Sequence, residues 1–168
     1  INELFTLSNK TNKLNINDLG YVIGPILNSG GRLGKSNYAC DLLSSNDLAI
    51  VTIRSNELIK LNNKRKIIEK IIINEINFQK IEDENKSVII YYNPNINEGL
   101  IGIIASRLKD YFDKPCVVIT ESNGILKGSA RSIYAYNIGH VIKNLFDKNI
   151  IINGGGHSMA AGFSLKIG

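Results

Sequence analysis

The sequence has 168 residues, and 43% of them are hydrophobic, which is enough for a packed core and excludes a globally disordered chain. Its 20 lysines and arginines outnumber 15 aspartates and glutamates, so the net charge of +5 permits an anionic partner without requiring one. No apolar run approaches the roughly 20 residues of a membrane span, and no signal-peptide pattern opens the chain, so we expect a cytoplasmic protein without a membrane partner. Cys40 and Cys116 have no metal-ligand spacing, which indicates two buried, reduced thiols.

The N-terminal part of the chain is predicted to contain loops and short helices. Residues 1–20 are polar and rich in asparagine, which indicates loop and a short helix. The sequence GPILNSGGRLG, residues 24–34, predicts a glycine-rich turn that carries Arg32. Ser36 is then a candidate N-cap for a helix that ends near Ser45. Because the chain begins with isoleucine rather than methionine, we expect a segment of a longer protein.

One long helix is predicted over residues 46–80, which contain neither glycine nor proline. Apolar residues recur there at spacings of three, four or seven: Leu58, Leu61, Ile68, Ile72 and Ile76. A helix of this length would span roughly 50 Å at about 1.5 Å per residue. Because a small domain is narrower than that, we expect a connector between two lobes.

The C-terminal part is predicted to alternate strands with amphipathic helices. The expected order is a strand over 87–93, a helix over 99–112, strands over 116–120 and 126–132, a helix over 137–147, a glycine loop at 153–157 and a last strand over 160–165. This pattern is typical of an α/β fold. We therefore predict a small mixed-sheet α/β domain, residues 81–168, joined by a connector helix, 46–80, to a remnant of another lobe, 1–45.

The sequence NGGGHSMAAG, residues 153–162, is the first candidate for an anion-binding site. A glycine run lets backbone N–H groups point into one concavity, which suits phosphate or carboxylate. His157 adds a side-chain donor at the end of the run. Taken alone, the glycine run is explained equally well as a tight turn.

The sequence GSARS, residues 128–132, is a second candidate. An arginine offers a planar fork to a phosphate and a serine donates beside it, so Ser129, Arg131 and Ser132 are a candidate anion clamp. An isolated strand arginine is also typical of a surface ion pair. A third stretch, residues 97–108, places glycines near the start of a helix, where free N–H groups favour anions, although the same glycines equally favour close helix packing.

These stretches resemble, in order and spacing, the C-terminal half of RecJ-type single-stranded-DNA exonucleases of the DHH phosphoesterase superfamily. The matching motifs are GP-x-x-N-x-x-GR over 24–32, an LN-x-x-R signature at Leu61, Asn62 and Arg65, GLIGIIASRL over 99–108, GSARS over 128–132 and GGHSMAAG over 155–162. Each motif is common by itself, whereas the ordered set is specific. The C-terminal motifs correspond to the DHH-associated domain of that family.

The resemblance implies a 5′-to-3′ exonuclease on single-stranded DNA that acts in repair and recombination. In that family Mn²⁺ or Mg²⁺ is held by aspartates and histidines of an N-terminal DHH lobe, and no such cluster occurs in this sequence. The resemblance therefore implies that this chain binds no metal, lacks catalytic residues, is inactive alone, and has single-stranded DNA and the missing lobe as partners. The substrate-binding residues that it implies are Arg32, Ser129, Arg131, Ser132, Gly154, Gly155, Gly156 and His157.

Two departures from the family pattern and three alternatives accompany this interpretation. The family commonly has Trp-His where this chain has Ile96-Asn97, and often has arginine in place of Ile26. Similar domains serve enzymes that hydrolyse short oligonucleotides or cyclic dinucleotides, and help alanyl-tRNA synthetases bind tRNA. A non-catalytic module that binds nucleic acid or a protein partner is a third alternative. The sequence predicts no oligomeric state.

Overall fold

A computed structural model describes residues 1–8 and 15–167, except for the side chain of Phe5, and shows two compact units that divide between Lys70 and Ile71. Part of the prediction for residues 1–20 falls on positions outside the described residues. The first unit is helical, with α1 (Asn2–Leu7), α2 (Ile16–Asp18), a π-helical segment (Leu19–Ile23), α3 (Gly24–Arg32), α4 (Asn37–Ser44) and most of α5 (Leu48–Glu75). Its core consists of Leu4, Ile23, Ile26, Leu42 and Leu58.

The GPILNSGGRLG segment forms helix α3, so the prediction of a turn was wrong. Pro25 lies in the first turn of the helix, where its missing N–H group has no helical partner to lose. A Cβ atom on Gly30 would lie 2.6 Å from the carbonyl oxygen of Lys35, so this glycine allows close packing. The turn comes only at Gly34, whose φ of +79° ends the helix in the left-handed conformation.

The predicted long helix is α5, which ends at Glu75, five residues before the predicted end at residue 80. Asn77 stops it, because its side chain accepts a hydrogen bond of 3.0 Å from the Lys80 N–H group and caps a new short helix, α6 (Phe78–Asp83). Helix α5 buries a stripe at spacings of three and four: Ser55, Leu58, Asn62, Arg65, Glu69 and Ile72. It is thus packed along one face, and the division of the chain into the segments 1–45, 46–80 and 81–168 stays a prediction.

No described helix is both long enough and apolar enough to cross a membrane.

The second unit contains a mixed five-stranded sheet, which confirms the predicted α/β fold class. After α6 its elements are β1 (Ile89–Tyr92), α7 (Ile101–Phe112), β2 (Cys116–Ser122), β3 (Ile125–Arg131), α8 (Ile138–Asp147), β4 (Asn153–His157) and β5 (Ala160–Lys166). The strand order is β1-β2-β3-β5-β4. Only the β1–β2 pair is parallel among these four pairs.

One helix covers each face of the sheet. Helix α7 packs against β2 and β3 on the face that carries Ser129, while α8 packs against β4 and β5 on the other face. The core on the α8 side consists of Val117, Ala130, Ile138, Ile142, Ile151 and Ala161. Val117, Ala130 and Ala161 form one cross-strand row there, because the register pairs Ala130 with both of the others. Ser129 and Arg131, the neighbours of Ala130, therefore face α7.

The predicted glycine loop is strand β4, so that prediction was wrong. Gly154, Gly155, Gly156 and His157 pair with β5 in antiparallel register. Successive backbone N–H groups of a strand point to opposite sides, so these glycines do not form the expected concavity. The small residues of the motif instead bring two strands and a helix close together.

The prediction of buried thiols is confirmed for one cysteine and wrong for the other. Cys116 is buried at the start of β2, and burial raises the pKa of its thiol to about 12. Cys40, on α4, is exposed. Its neighbours Leu42 and Tyr38 face the core of the first unit instead, because a helix turns successive side chains by 100°.

Candidate functional site

Arg131 and His157 lie in one cross-strand row on the α7 face of the sheet. The register pairs Arg131 with Ala160, and Ala160 with His157. Directly opposed residues point to the same face of a sheet. The two Cα atoms are therefore separated by two strand spacings, about 10 Å. Arg131 is half-buried and His157 is exposed, so both side chains reach solvent on this face.

Ser129 and Gly102 determine where the Arg131 guanidinium lies. Nη1 of Arg131 donates hydrogen bonds to Oγ of Ser129, at 3.0 Å, and to the carbonyl oxygen of Ala130, at 2.8 Å. A Cβ atom on Gly102, in the first turn of α7, would lie 2.8 Å from Nη2 of Arg131 and 3.2 Å from Oγ of Ser129. Gly102 thus leaves the space that the guanidinium occupies. The packing interpretation of this glycine is the one that the geometry supports.

Ser132 lies apart from this group, although it follows Arg131 directly. Its side chain is 1% exposed, and its hydroxyl donates a hydrogen bond of 2.6 Å to the carbonyl oxygen of Tyr136. Its N–H group donates to the carbonyl oxygen of Met159 at 3.0 Å. Ser132 therefore holds together the loop that leads to α8 and the turn between β4 and β5.

The three glycines of β4 have different surroundings. A Cβ atom on Gly154 would lie 2.6 Å from Cδ1 of Ile151, and one on Gly156 would lie 2.4 Å from the carbonyl oxygen of Ala160. Packing therefore requires both of these glycines. A Cβ atom on Gly155 would meet nothing within 4 Å, so packing does not explain this residue. Gly155 is exposed on the α7 face, opposite Gly162 of β5.

An open groove with a cavity volume of about 510 Å³ runs over this part of the α7 face. Gly155 and Gly162 form part of its floor, and Lys127 and Asn153 also line it. Glu98, just before α7, also lines it. Sequence reasoning missed Lys127 and Asn153, although the period of two along a strand places Lys127 on the same face as Ser129 and Arg131.

Arg32 lies in the first unit, in the last turn of α3. Burial lowers the pKa of its guanidinium, the nearby charge of Arg65 lowers it further, and the Glu69 carboxylate partly opposes both effects. Arg65 itself is buried, pairs with Glu69 at 2.8 Å and donates to Oδ1 of Asn62 at 3.1 and 3.2 Å. The role of Arg32 in substrate binding stays a prediction.

The described residues do not fit a divalent metal ion. No group of three or more histidine, cysteine, aspartate or glutamate side chains comes together among residues 1–8 and 15–167. His157 shares its row with the positive charge of Arg131, which disfavours a second cation. This face of the sheet is instead suited to an anion, because it offers charged and neutral hydrogen-bond donors around an open floor.

The DHHA1 domain family matches residues 85–167. This segment is a DHHA1 domain. The match covers the whole sheet and both helices that flank it. It confirms the resemblance to the DHH-associated domain that the GSARS and GGHSMAAG motifs indicated.

The similarity to RecJ extends beyond the DHHA1 domain. The single-stranded-DNA-specific exonuclease RecJ of Haemophilus influenzae is 37% identical over 157 residues, which is 89% of this chain and 27% of that protein. RecJ of Escherichia coli is 33% identical, over 99% of this chain and 30% of that protein. This chain therefore spans less than a third of these relatives.

The crystal structure of Thermus thermophilus RecJ in complex with Mn²⁺ has the same fold. It superimposes with a TM-score of 0.82 at 26% sequence identity, covering 97% of this chain and 24% of that protein. A second structure, with Mg²⁺, gives a TM-score of 0.79. The helical unit and the α/β unit described above thus both occur in a RecJ protein.

Proposed function

We propose that this chain is the DNA-binding part of a cytoplasmic 5′-to-3′ exonuclease of the RecJ type. The intact enzyme degrades single-stranded DNA in repair and recombination. One observation carries the proposal: Arg131 and His157 share a cross-strand row on an open face of a DHHA1 domain. Next to this row, Gly155 and Gly162 leave the surface of the sheet accessible. The ordered similarity to RecJ over nearly the whole chain supports the choice of substrate.

Arg131 and His157 bind a phosphate of the strand. The guanidinium supplies charge and a planar set of N–H donors, and the imidazole supplies a donor from the edge strand β4, two strands away. Ser129 positions Arg131 by accepting its hydrogen bond. Because these contacts go to phosphate, they fix the position of the strand without reading its sequence.

The hydrolytic centre of the intact protein lies outside the described residues. The Thermus relatives are described with Mn²⁺ or Mg²⁺, and the described residues of this chain offer no ligand set for such an ion. The contribution of this chain is therefore to hold the substrate, and the missing DHH lobe is its partner.

The test measures binding of a fluorescent single-stranded oligonucleotide to the intact protein by anisotropy. Arg131→Ala and His157→Ala should each weaken binding roughly 10- to 150-fold, because a hydrogen bond to a charged group contributes about 1.5–3 kcal/mol. The double variant should lose less than the sum, since both side chains act on one anion. Lys143→Ala is the matched control, because Lys143 is exposed on α8, on the other face of the sheet.

Thermal stability of the same variants separates binding from folding. Unchanged DNA affinity in both single variants, with normal unfolding temperatures, would contradict the proposal. A loss of affinity that only follows a loss of stability would assign both residues a structural role.

A further inference from the structure

We propose that the groove next to Arg131 is a second phosphate subsite, in which Lys127 and Asn153 hold the backbone of the strand several nucleotides away from the phosphate at Arg131. The inference rests on the proposed function, since it extends the path of the same bound strand. It adds two residues that are not among the substrate-binding residues implied by the family resemblance.

The register places the new residues in a row parallel to the first one. Lys127 pairs with Ser164, and Ser164 pairs with Asn153, so all three side chains share the α7 face with Arg131. Lys127 precedes Arg131 by four residues on β3, which corresponds to about 13 Å along the strand. A stacked strand rises about 3.4 Å per nucleotide, so the two rows are about four stacked nucleotides apart, and fewer when the strand is extended.

In the row between them, Ser129 on β3 holds Arg131, and the two positions on β5 and β4 are glycines without side chains. Gly155 and Gly162 are paired there, between the rows of Arg131 and Lys127. The space above Gly155 is open, and both glycines line the groove. A sugar-phosphate backbone can therefore lie against the sheet from one row to the next.

The charges in the groove determine which part of it holds the phosphate. Lys127 provides a positive point charge and Asn153 an amide donor, and their contacts with phosphate carry no information about the bases. Glu98, which lines the groove from the segment before α7, repels a phosphate. The favourable position is therefore on the strand side of the groove, close to Lys127 and Asn153.

The experiment compares two lengths of oligothymidine on the intact protein. Lys127→Ala should weaken binding of a 12-mer about 10-fold, as expected for one lost charge-assisted contact. It should also lower the slope of log affinity against log salt by about 0.7, the value for one phosphate of a single strand. Binding of a dinucleotide, measured by competition, should not change, because it cannot reach both rows. Lys143→Ala should affect neither oligonucleotide.

Two further variants make the outcome decisive. Lys127→Arg should bind the 12-mer as tightly as the unchanged protein, in contrast to Lys127→Ala, because the positive charge is kept. Glu98→Gln should bind it more tightly, because the repulsion between the Glu98 carboxylate and the phosphate is removed. Equal effects of Lys127→Ala on both lengths, or no effect on either, would overturn the second subsite while leaving the proposed function intact. The proposed function itself fails, and this inference with it, if Arg131→Ala and His157→Ala each bind both oligonucleotides as tightly as the unchanged protein.

Discussion

Substitution of neighbouring glycines by alanine should separate packing from DNA binding within strand β4. In Gly156→Ala the new methyl group would lie 2.4 Å from the carbonyl oxygen of Ala160 and 2.5 Å from Cα of Ala161. Both atoms belong to the paired backbone of β5 and cannot rotate away. Overpacking of this kind destabilises by about 1–3 kcal/mol. For a unit of about 100 residues, this corresponds to a fall in Tm of about 4–24 °C.

Gly155→Ala should have the opposite profile. Its methyl group would meet no atom within 4 Å, and Gly155 is not among the glycines with positive φ. Alanine at a compatible position restricts the unfolded chain and raises stability by about 0.4–1 kcal/mol. The methyl group would, however, stand on the floor of the groove and keep the DNA backbone away from the sheet. We therefore expect unchanged or higher thermal stability together with weaker binding of single-stranded DNA.

Circular dichroism melting and fluorescence anisotropy on the same two proteins provide the comparison. The reasoning is refuted if Gly155→Ala unfolds as easily as Gly156→Ala, since the open space above Gly155 would then not exist. It is equally refuted if Gly155→Ala binds DNA normally, because the floor of the groove would then not contact the strand.

Three other predictions concern the interior of the protein. Ser55→Ala should raise the free energy of unfolding by about 1 kcal/mol in chemical denaturation, because the buried Ser55 hydroxyl has no hydrogen-bond partner among the described residues. Glu69→Ala should lower it by about 3–5 kcal/mol, since it leaves the buried charge of Arg65 without its carboxylate; a loss below 1 kcal/mol would contradict this. In the native protein at pH 8, a thiol reagent should label Cys40 quickly and Cys116 only after unfolding, because Cys116 stays protonated until the pH approaches its raised pKa of about 12.

The regular elements of the α/β domain followed from hydrophobic periodicity, whereas the glycine-rich segments did not. The apolar faces of α7 and α8 predicted both helices within two residues at each end. The wrong predictions for the two glycine-rich segments, residues 24–34 and 153–157, have one cause. Glycine was interpreted through its backbone freedom, but Gly30 and Gly156 are required by close contacts with Lys35 and Ala160. These contacts form only where the chain reverses at Gly34 and where β4 pairs with β5, and a glycine-rich sequence alone does not distinguish such close packing from a turn.

The candidate site was predictable only along each strand. The GSARS motif indicated Arg131 and Ser129 together, and the period of two explains why Ser132 points elsewhere. The row that joins Arg131 to His157 depends on the register between three strands, which no local pattern specifies. Asn153 was missed for the same reason, because its relation to Lys127 exists only across β5.

The close fit of Gly102 against Arg131 and Ser129 has an evolutionary consequence. The atom nearest to a Cβ at position 102 is the end of a flexible side chain, so a larger residue there would displace the guanidinium rather than prevent folding. The displaced arginine would lose the hydrogen bond that Ser129 accepts. Under the proposed function, we therefore expect positions 102, 129 and 131 to vary as one group, although they belong to a helix and a strand. Related sequences with a larger residue at 102 are expected to have compensating changes at 129 or 131.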